Sequence, residues 1–204
     1  MIIHLIRHGQ TDWNVKSLYQ GTQDIPLNNT GTLQTKTLAK RLSNTPIISL
    51  YSSPLSRANK TAEHINHHHN LEIVFRDHLK EIKLGEWEGK DRETIKKSHP
   101  KSQGTFSKDT IDLRPPGGES FKDLQFRVQE VFKEIVDSHD QEDEIMIVSH
   151  GGVIKNIIAD ALKMKLEDRK LLLIDNASIS TLIYHPKEKT FFLKRYNDTA
   201  HLEN

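Results

Sequence analysis

Short apolar segments that end in polar turns recur along this chain, and segments with helical periodicity follow most of them. The first, IIHLIR at 2–7, is rich in β-branched residues and is followed by a turn at Gly9. Such runs predict strands, and their alternation with helices predicts an α/β fold. The predicted strands are 2–7, 48–52, 72–75, 144–149, 178–184 and 190–195, and the predicted helices are 32–43, 55–66, 120–138 and 153–164.

The order of these elements predicts a three-layer α/β/α sandwich around a mostly parallel sheet. Only the turn-like HPKEK separates the last two predicted strands, so we expect an antiparallel hairpin at one edge. The length of 204 residues suits one domain, 1–204. The segment at about 90–117 is polar and includes HPKSQ and RPPGG. We expect it to be an excursion that covers a site at the end of the sheet.

Composition excludes several classes of function. Charge is balanced, with 29 Lys and Arg against 28 Asp and Glu, so nothing predicts capture of nucleic acid or an anionic membrane. The absence of cysteine excludes disulfides, a thiolate nucleophile and cysteine-based zinc sites. The histidine run at 64–69 has no acidic ligand at matching spacing, so we expect no metal site there. Without a signal peptide or a long apolar stretch, we expect a soluble cytoplasmic protein.

Polar residues of one chemical type follow three of the predicted strands. Arg7 and His8 follow the first, Arg57 comes soon after the second, and His150 follows the strand at 144–149. If these strands are parallel neighbours, their carboxyl ends bring the four side chains to one rim. Such a cationic cluster repels itself unless it binds an anion, and the arginine fork suits a tetrahedral phosphate. Phosphate is therefore the first ligand that the sequence predicts.

The residues leave several candidate nucleophiles open: His8, His150, Ser149 and Ser53. A serine nucleophile needs an adjacent base and usually a Gly-x-Ser-x-Gly elbow, which this sequence lacks. A neutral histidine can attack phosphorus directly. Because like charges disfavour imidazolium, a ring next to arginine stays neutral more readily near pH 7.

A leaving alkoxide needs a proton, and the candidate donors lie in LKEIKLGEWEG at 79–89. Glu81, Glu86 and Glu88 all qualify as general acids, because a carboxyl shielded from water can hold its proton at neutral pH. Spacing alone does not choose among the three.

Six motifs, in this order and at these intervals, resemble the histidine phosphatase superfamily, which has the phosphoglycerate mutase-like fold. They are RHGQTDWN, YQGTQDIPLNNTG, SSPLSRANKTAE, LKEIKLGEWEG, PPGGES and VSHGG. Mutases of the family usually carry a Glu-Glu-Arg-x-Tyr-Gly pattern after the acid. LKEIKLGEWEG instead resembles the shorter broad-specificity phosphatases and α-ribazole phosphatases.

The resemblance implies a role for each matching residue. His8 is expected to be the phosphorylated nucleophile, and Glu81 becomes the preferred general acid. Arg7, Arg57 and His150 are expected to complete the phosphate pocket. The residues expected to bind phosphate or substrate are Asn14, Gln20, Gly21 and Gly151. The family works without a metal, so we expect neither a metal nor a cofactor.

The expected function is a metal-independent phosphomonoesterase that hydrolyses small phosphate esters through phosphohistidine at position 8. Its partner is expected to be a small phosphorylated metabolite. Two alternatives stay open: a cofactor-dependent phosphoglycerate mutase, and a binding module for phosphorylated ligands without catalysis. His8, Glu81 and His150 argue against the binding module, because binding alone needs neither a nucleophile nor an acid.

Overall fold

The computed structural model describes residues 1–99 and 111–203. Its sheet has the strand order β3-β2-β4-β1-β5-β6. The first four strands in that order run parallel, whereas β5 is antiparallel to both β1 and β6. The strands are β1 Ile2–Arg7, β2 Ser49–Ser52, β3 Ile73–Phe75, β4 Glu144–Ser149, β5 Ile179–His185 and β6 Thr190–Asp198.

Helices cover both faces of this sheet. The α-helices are α1 Asp12–Val15, α2 Asn29–Leu42, α3 Ser56–Asn66, α4 Arg92–Ser98, α5 Phe121–Asp137 and α6 Gly151–Ala161. Because side chains alternate along a strand, Met146 and Val148 of β4 pack in one apolar cluster with α2 and α3, while Ile145 and Ile147 pack in another with α5 and α6. This arrangement confirms the predicted three-layer α/β/α sandwich.

All six predicted strands occur, and the hairpin of β5 and β6 lies at one edge as predicted. The four predicted helices also occur, with ends that shift by up to three residues. A shift of three residues occurs at the start of α2, which begins before Gly31 rather than after it, and another at the end of α6. Gly31 lies inside α2. This position requires glycine because a Cβ there would come within 2.0 Å of the Gln10 carbonyl oxygen. This glycine permits a close approach and does not mark the helix boundary.

The predicted excursion at about 90–117 lies partly outside the described residues, at 100–110. Its first part forms α4, which the sequence did not predict, because Ile95 is the only buried residue in that helix. Its last part packs beside the turn before α5, where the Pro116 carbonyl accepts from the Glu86 N–H and the Glu119 N–H donates to the Lys83 carbonyl. The covering role of this excursion stays a prediction. No helix in the described ranges is both long and apolar enough to cross a bilayer.

Candidate active site

The carboxyl ends of three parallel strands form one rim, because β4 lies between β1 and β2. A cavity of about 430 Å³ opens at this rim. Predicted site residues that line it are Arg7, His8, Asn14, Gln20, Gly21, Arg57, Glu81 and Gly151. The fold therefore brings together residues that lie up to about 140 positions apart in the sequence.

His8 is 3 % exposed, and one ring nitrogen is fixed by the backbone. Its Nδ1 lies 2.7 Å from the carbonyl oxygen of Gly9. Since a carbonyl only accepts, Nδ1 carries the proton and the lone pair of the neutral ring is at Nε2. Burial lowers the pKa of His8 well below its usual value, and the charges of Arg57 and Arg7 lower it further. His8 is therefore a neutral imidazole with a free lone pair at Nε2 near pH 7.

The guanidiniums of Arg7 and Arg57 are anchored by backbone carbonyls. Arg57 is fully buried and donates to the carbonyls of Gln23 at 2.7 Å and Gly21 at 2.9 Å. Burial lowers the pKa of Arg57 to about 10, although Glu81 counteracts the effect. Arg7 donates to the Ile174 carbonyl. The Nε atoms of both arginines are buried and have no partner among the described residues, so each retains a donor for a ligand.

His150 is fully buried next to His8 and does not line the open cavity. The two rings meet edge to face, with centroids 5.1 Å apart and planes at 60°. Nε2 of His150 lies 2.8 Å from Oγ of Ser53, while its Nδ1 has no partner among the described residues. Burial lowers the pKa of His150 well below its usual value, with Arg57 adding to the effect. His150 is thus a second neutral ring held against the first.

The structure separates His8 from the serines that the sequence left as alternative nucleophiles. Ser149 and Ser53 are fully buried, and neither lines the cavity. Oγ of Ser149 donates to the Leu79 carbonyl at 2.7 Å, and Oγ of Ser53 contacts His150. Both hydroxyls therefore contact the protein interior, whereas His8 lines the cavity.

The structure also distinguishes the three candidate acids. Glu81 is the only carboxylate among the described residues that line the cavity. Its oxygens accept from the backbone N–H groups of Ile82 and Gly152, each at 3.0 Å. Glu88 instead accepts from the N–H of Thr22 at 2.9 Å and other donors in the loop around it, and Glu86 is exposed.

The remaining predicted binding residues differ in their free polar atoms and in the space around them. Oδ1 of Asn14 accepts from the Thr11 N–H at 3.0 Å. Oε1 of Gln20 is buried and has no partner among the described residues. Gly21 has φ +55°, and a Cβ there would meet Glu88 at 2.1 Å, so the position requires glycine. Gly151 is not constrained in this way, because a Cβ would lie 3.6 Å from the nearest atom of Arg7.

Several residues of the site were not predicted from the sequence. Nδ2 of Asn176 donates to the carbonyl of His8 at 3.1 Å, and Lys155 and Arg169 line the cavity. Helical periodicity could have found Lys155, because it lies four residues after Gly151 and so faces the same side of α6. Asn176 and Arg169 lie in irregular or short helical segments that carry no such signal.

Known proteins with the same sequence pattern identify the family of this chain. The profile described as Histidine phosphatase superfamily (branch 1) matches residues 3–199. The chain belongs to this superfamily. Among curated histidine phosphatase relatives, phosphoglycerate mutase-like protein 4 of Arabidopsis thaliana is 34 % identical over 98 % of this chain and 86 % of its own length. Phosphoserine phosphatase 1 of Hydrogenobacter thermophilus is 31 % identical over 97 % of this chain and 92 % of its own length.

Solved structures of histidine phosphatases match the fold closely. YhfR of Bacillus stearothermophilus superposes with a TM-score of 0.90 at 32 % identity, covering 99 % of both chains. The α-ribazole phosphatase of Shigella flexneri superposes with a TM-score of 0.88 at 27 % identity, covering 98 % of this chain and 97 % of its own. These findings confirm the resemblance seen in the motifs. They also confirm the predicted enzyme class, a phosphoric monoester hydrolase.

Proposed function

We propose that this histidine phosphatase hydrolyses small phosphate monoesters in two steps through a phosphohistidine at His8. The main support for this proposal is the set of side chains that the cavity brings together. The lone pair of a buried, neutral His8 shares a cavity with the guanidiniums of Arg7 and Arg57 and with a single lining carboxylate among the described residues, Glu81. That set supplies a nucleophile, an anion site and a proton donor.

In the first step, Nε2 of His8 attacks phosphorus and the bond to the ester oxygen breaks. The leaving oxygen takes a proton from the carboxyl of Glu81, which yields the alcohol and phosphohistidine. Arg7 and Arg57 stabilise the charge on the equatorial oxygens, and their anchoring to backbone carbonyls keeps them in place before substrate arrives.

In the second step, water attacks the phosphohistidine and gives its proton to the Glu81 carboxylate. The N–P bond breaks, inorganic phosphate leaves, and His8 returns to its neutral form. The hydrogen bond from Nδ1 of His8 to the Gly9 carbonyl supports both steps, because it stabilises positive charge on the phosphorylated ring. His150 packs edge-on against that ring and limits its orientations.

The substrate class follows from the cavity and from the relatives. A volume of about 430 Å³ accommodates a phosphate with a small organic group. Names of relatives include phosphoserine phosphatase and α-ribazole phosphatase, whose substrates are small phosphorylated metabolites. We propose a metabolite of that size as the substrate.

A mutase is the second candidate, because one relative is called phosphoglycerate mutase-like and others are called probable phosphoglycerate mutases. A mutase uses the same phosphohistidine but passes the phosphoryl group to a second hydroxyl instead of water. It must therefore keep water from the intermediate, and it would require a bisphosphate primer.

The test is hydrolysis of p-nitrophenyl phosphate in EDTA, combined with capture of acid-labile phosphate on the protein. We expect the wild type to release nitrophenol and to trap phosphate, and His8→Asn to do neither. His68→Asn is the matched control, because His68 is exposed and lies away from the cavity. Activity retained by His8→Asn, or activity abolished by EDTA and restored by metal, would overturn the mechanism. Turnover that depends on a bisphosphate primer would favour the mutase.

A further inference from the structure

Three cations that the proposed chemistry does not use line the cavity: Lys155 on α6, and Arg169 and Lys170 on the 3-10 helix Leu166–Leu171. Lys170 is exposed to solvent, whereas Arg169 is buried and Lys155 is partly buried. Arg7 and Arg57 are the cavity cations whose charges lower the pKa of His8. Lys155 and Arg169 lie on other elements of the cavity wall than these two arginines.

Arg169 is a buried and rigidly placed guanidinium. It is 4 % exposed, and its central carbon lies 3.3 Å from the centroid of the Phe121 ring, which also lines the cavity. Its Nη1 donates to the carbonyl of Leu166 at 2.8 Å. No carboxylate in the described ranges forms an ion pair with it. Burial lowers the pKa of Arg169 to about 10, and no neighbouring acid counteracts this.

Lys155 is in a comparable position. Its side chain is partly buried in the cavity wall, and none of the ion pairs among the described residues includes it. Burial lowers the pKa of Lys155, and the charges of Arg7 and Arg169 act in the same direction. Glu81 and Asp175 favour its charged form without reaching ion-pair distance.

Two buried or half-buried cations that repel each other destabilise the protein unless an anion pairs with them. We propose that Lys155 and Arg169 form a second anion-binding subsite, which holds a carboxylate or a second phosphate on the alcohol part of the substrate. This inference rests on the proposed function, because it names the class of phosphate ester: one with a second negative group. A guanidinium has parallel N–H donors that suit either group, and the contact with the Phe121 ring restrains the position of this one.

The test compares matched substrates that differ only in the second charge. In one arm, 3-phosphoglycerate is compared with glycerol 3-phosphate, which has CH₂OH in place of the carboxylate. In the other arm, propane-1,3-diol bisphosphate is compared with the monophosphate. We expect the wild type to prefer at least one charged member, with kcat/KM higher by on the order of 10- to 100-fold, as charged hydrogen bonds allow. The arm that shows the preference identifies the anion.

Variants then test whether Lys155 and Arg169 cause the preference for the ester with the second charge. We expect Arg169→Gln and Lys155→Gln each to reduce the ratio of kcat/KM values by about tenfold, and Arg169→Lys to retain part of it. The ratio is taken within each variant, so a general loss of activity from a damaged fold cancels. Lys165→Gln is the control, because it removes the same charge from an exposed position at the start of the same 3-10 helix. A ratio that stays at the wild-type value in Arg169→Gln and Lys155→Gln would mean that both cations are purely structural.

Failure of this inference differs from failure of the proposed function. If the wild type hydrolyses the charged and uncharged esters equally well in both arms, the function stands and the subsite is wrong. If the wild type hydrolyses none of them, the same pairs are compared by calorimetric binding. Tighter binding of a charged ester that is lost in Arg169→Gln would still establish the subsite, and equal dissociation constants would overturn it.

Discussion

The guanidinium of Arg127 donates a hydrogen bond to the backbone carbonyl of Glu81 at 3.0 Å. Its Nη1 donates to the carbonyls of His78 and Lys80, and its Nε and Nη2 donate to the two carboxylate oxygens of Glu119. Helix α5 therefore fixes the backbone on which the proposed general acid stands. Because the Arg127 side chain is 14 % exposed, water cannot easily replace these bonds.

This relationship predicts that Arg127 positions the acid without contacting the substrate. We expect Arg127→Gln to lower kcat/KM for an alkyl phosphate, which needs a proton on its leaving oxygen, by about 100-fold, since misplacement by about 1 Å has such effects. The loss for p-nitrophenyl phosphate should be much smaller, because nitrophenolate leaves without that proton. The measurement is kcat/KM for both esters in wild type and variant, because this quantity excludes the second step, which both esters share.

Arg76→Gln is the matched control for that experiment. Arg76 also pairs with a carboxylate of α5, Glu134, but at the exposed surface, where such pairs contribute little. We expect Arg76→Gln to retain the wild-type kcat/KM for both esters. Equal losses for the two esters in Arg127→Gln would show that the arginine supports the fold in general and not the acid.

Glu81 itself should show the same dependence on leaving group in a stronger form. Glu81→Gln keeps the shape of the side chain and one acceptor oxygen but has no proton to donate. We expect kcat/KM for an alkyl phosphate to fall by about 10² to 10⁴-fold, as is typical for loss of a general acid, and kcat/KM for p-nitrophenyl phosphate to fall less. The exposed Glu86 provides the control variant, Glu86→Gln. The reverse result, with Glu86→Gln inactive and Glu81→Gln active, would show that Glu86 and not Glu81 is the general acid.

The sequence predicted the fold well because its strands are short, β-branched and bounded by turn residues. In β1 and β4 every residue of the predicted range is in the strand, 2–7 and 144–149, and both strands have nearly continuous apolar burial. The helices that sequence patterns missed lack such a signal. Helix α1 buries none of its four residues, and its start is marked only by the hydrogen bonds between Thr11 and Asn14. A helix of this kind is defined by its cap and not by periodicity.

The candidate site was predictable where a residue follows a strand and unpredictable where tertiary contacts decide. His8 and His150 follow β1 and β4 directly, so the parallel sheet brings them together. The choice of Glu81 over Glu88 depends on which carboxylate reaches the Gly152 N–H, a contact across 71 residues. The sequence also attributed the neutral state of His8 to arginine charges alone, whereas burial is the larger cause of its lowered pKa.

Gly152 should tolerate substitution far less than the adjacent Gly151. A Cβ at Gly152 would come within 2.3 Å of Oε1 of Glu81, whereas a Cβ at Gly151 would make ordinary contacts with Arg7 at 3.6 Å or more. We expect Gly152→Ala to displace the carboxylate and to lower alkyl phosphate turnover by at least about tenfold more than Gly151→Ala does. Steady-state kinetics of the two variants measure this difference, and equal losses would contradict the proposed position of the acid.

The two buried histidines of the site, His8 and His150, should make stability depend on pH in a defined window. Their folded pKa values lie well below the usual 6.5, because of burial first and the charge of Arg57 next. As the pH falls through about 6.5, the unfolded chain binds protons that the folded chain does not, so the free energy of unfolding falls. Each histidine contributes a slope of up to about 1.4 kcal/mol per pH unit below that point and nothing above it.

Urea unfolding at pH 7.5, 6.5 and 5.5 in phosphate-free buffer measures this slope. We expect His150→Asn and His8→Asn each to flatten the fall between pH 6.5 and 5.5. The exposed His68 offers the control, because His68→Asn removes a histidine that does not lie in the buried pair. His4 has a pKa lowered by burial and contributes with the same sign, but it is unchanged in all of these variants. If His150→Asn and His8→Asn both retain the wild-type fall in the free energy of unfolding between pH 6.5 and 5.5, the two rings bind protons in the folded state over that range. A neutral His8 would then not be the nucleophile at those pH values.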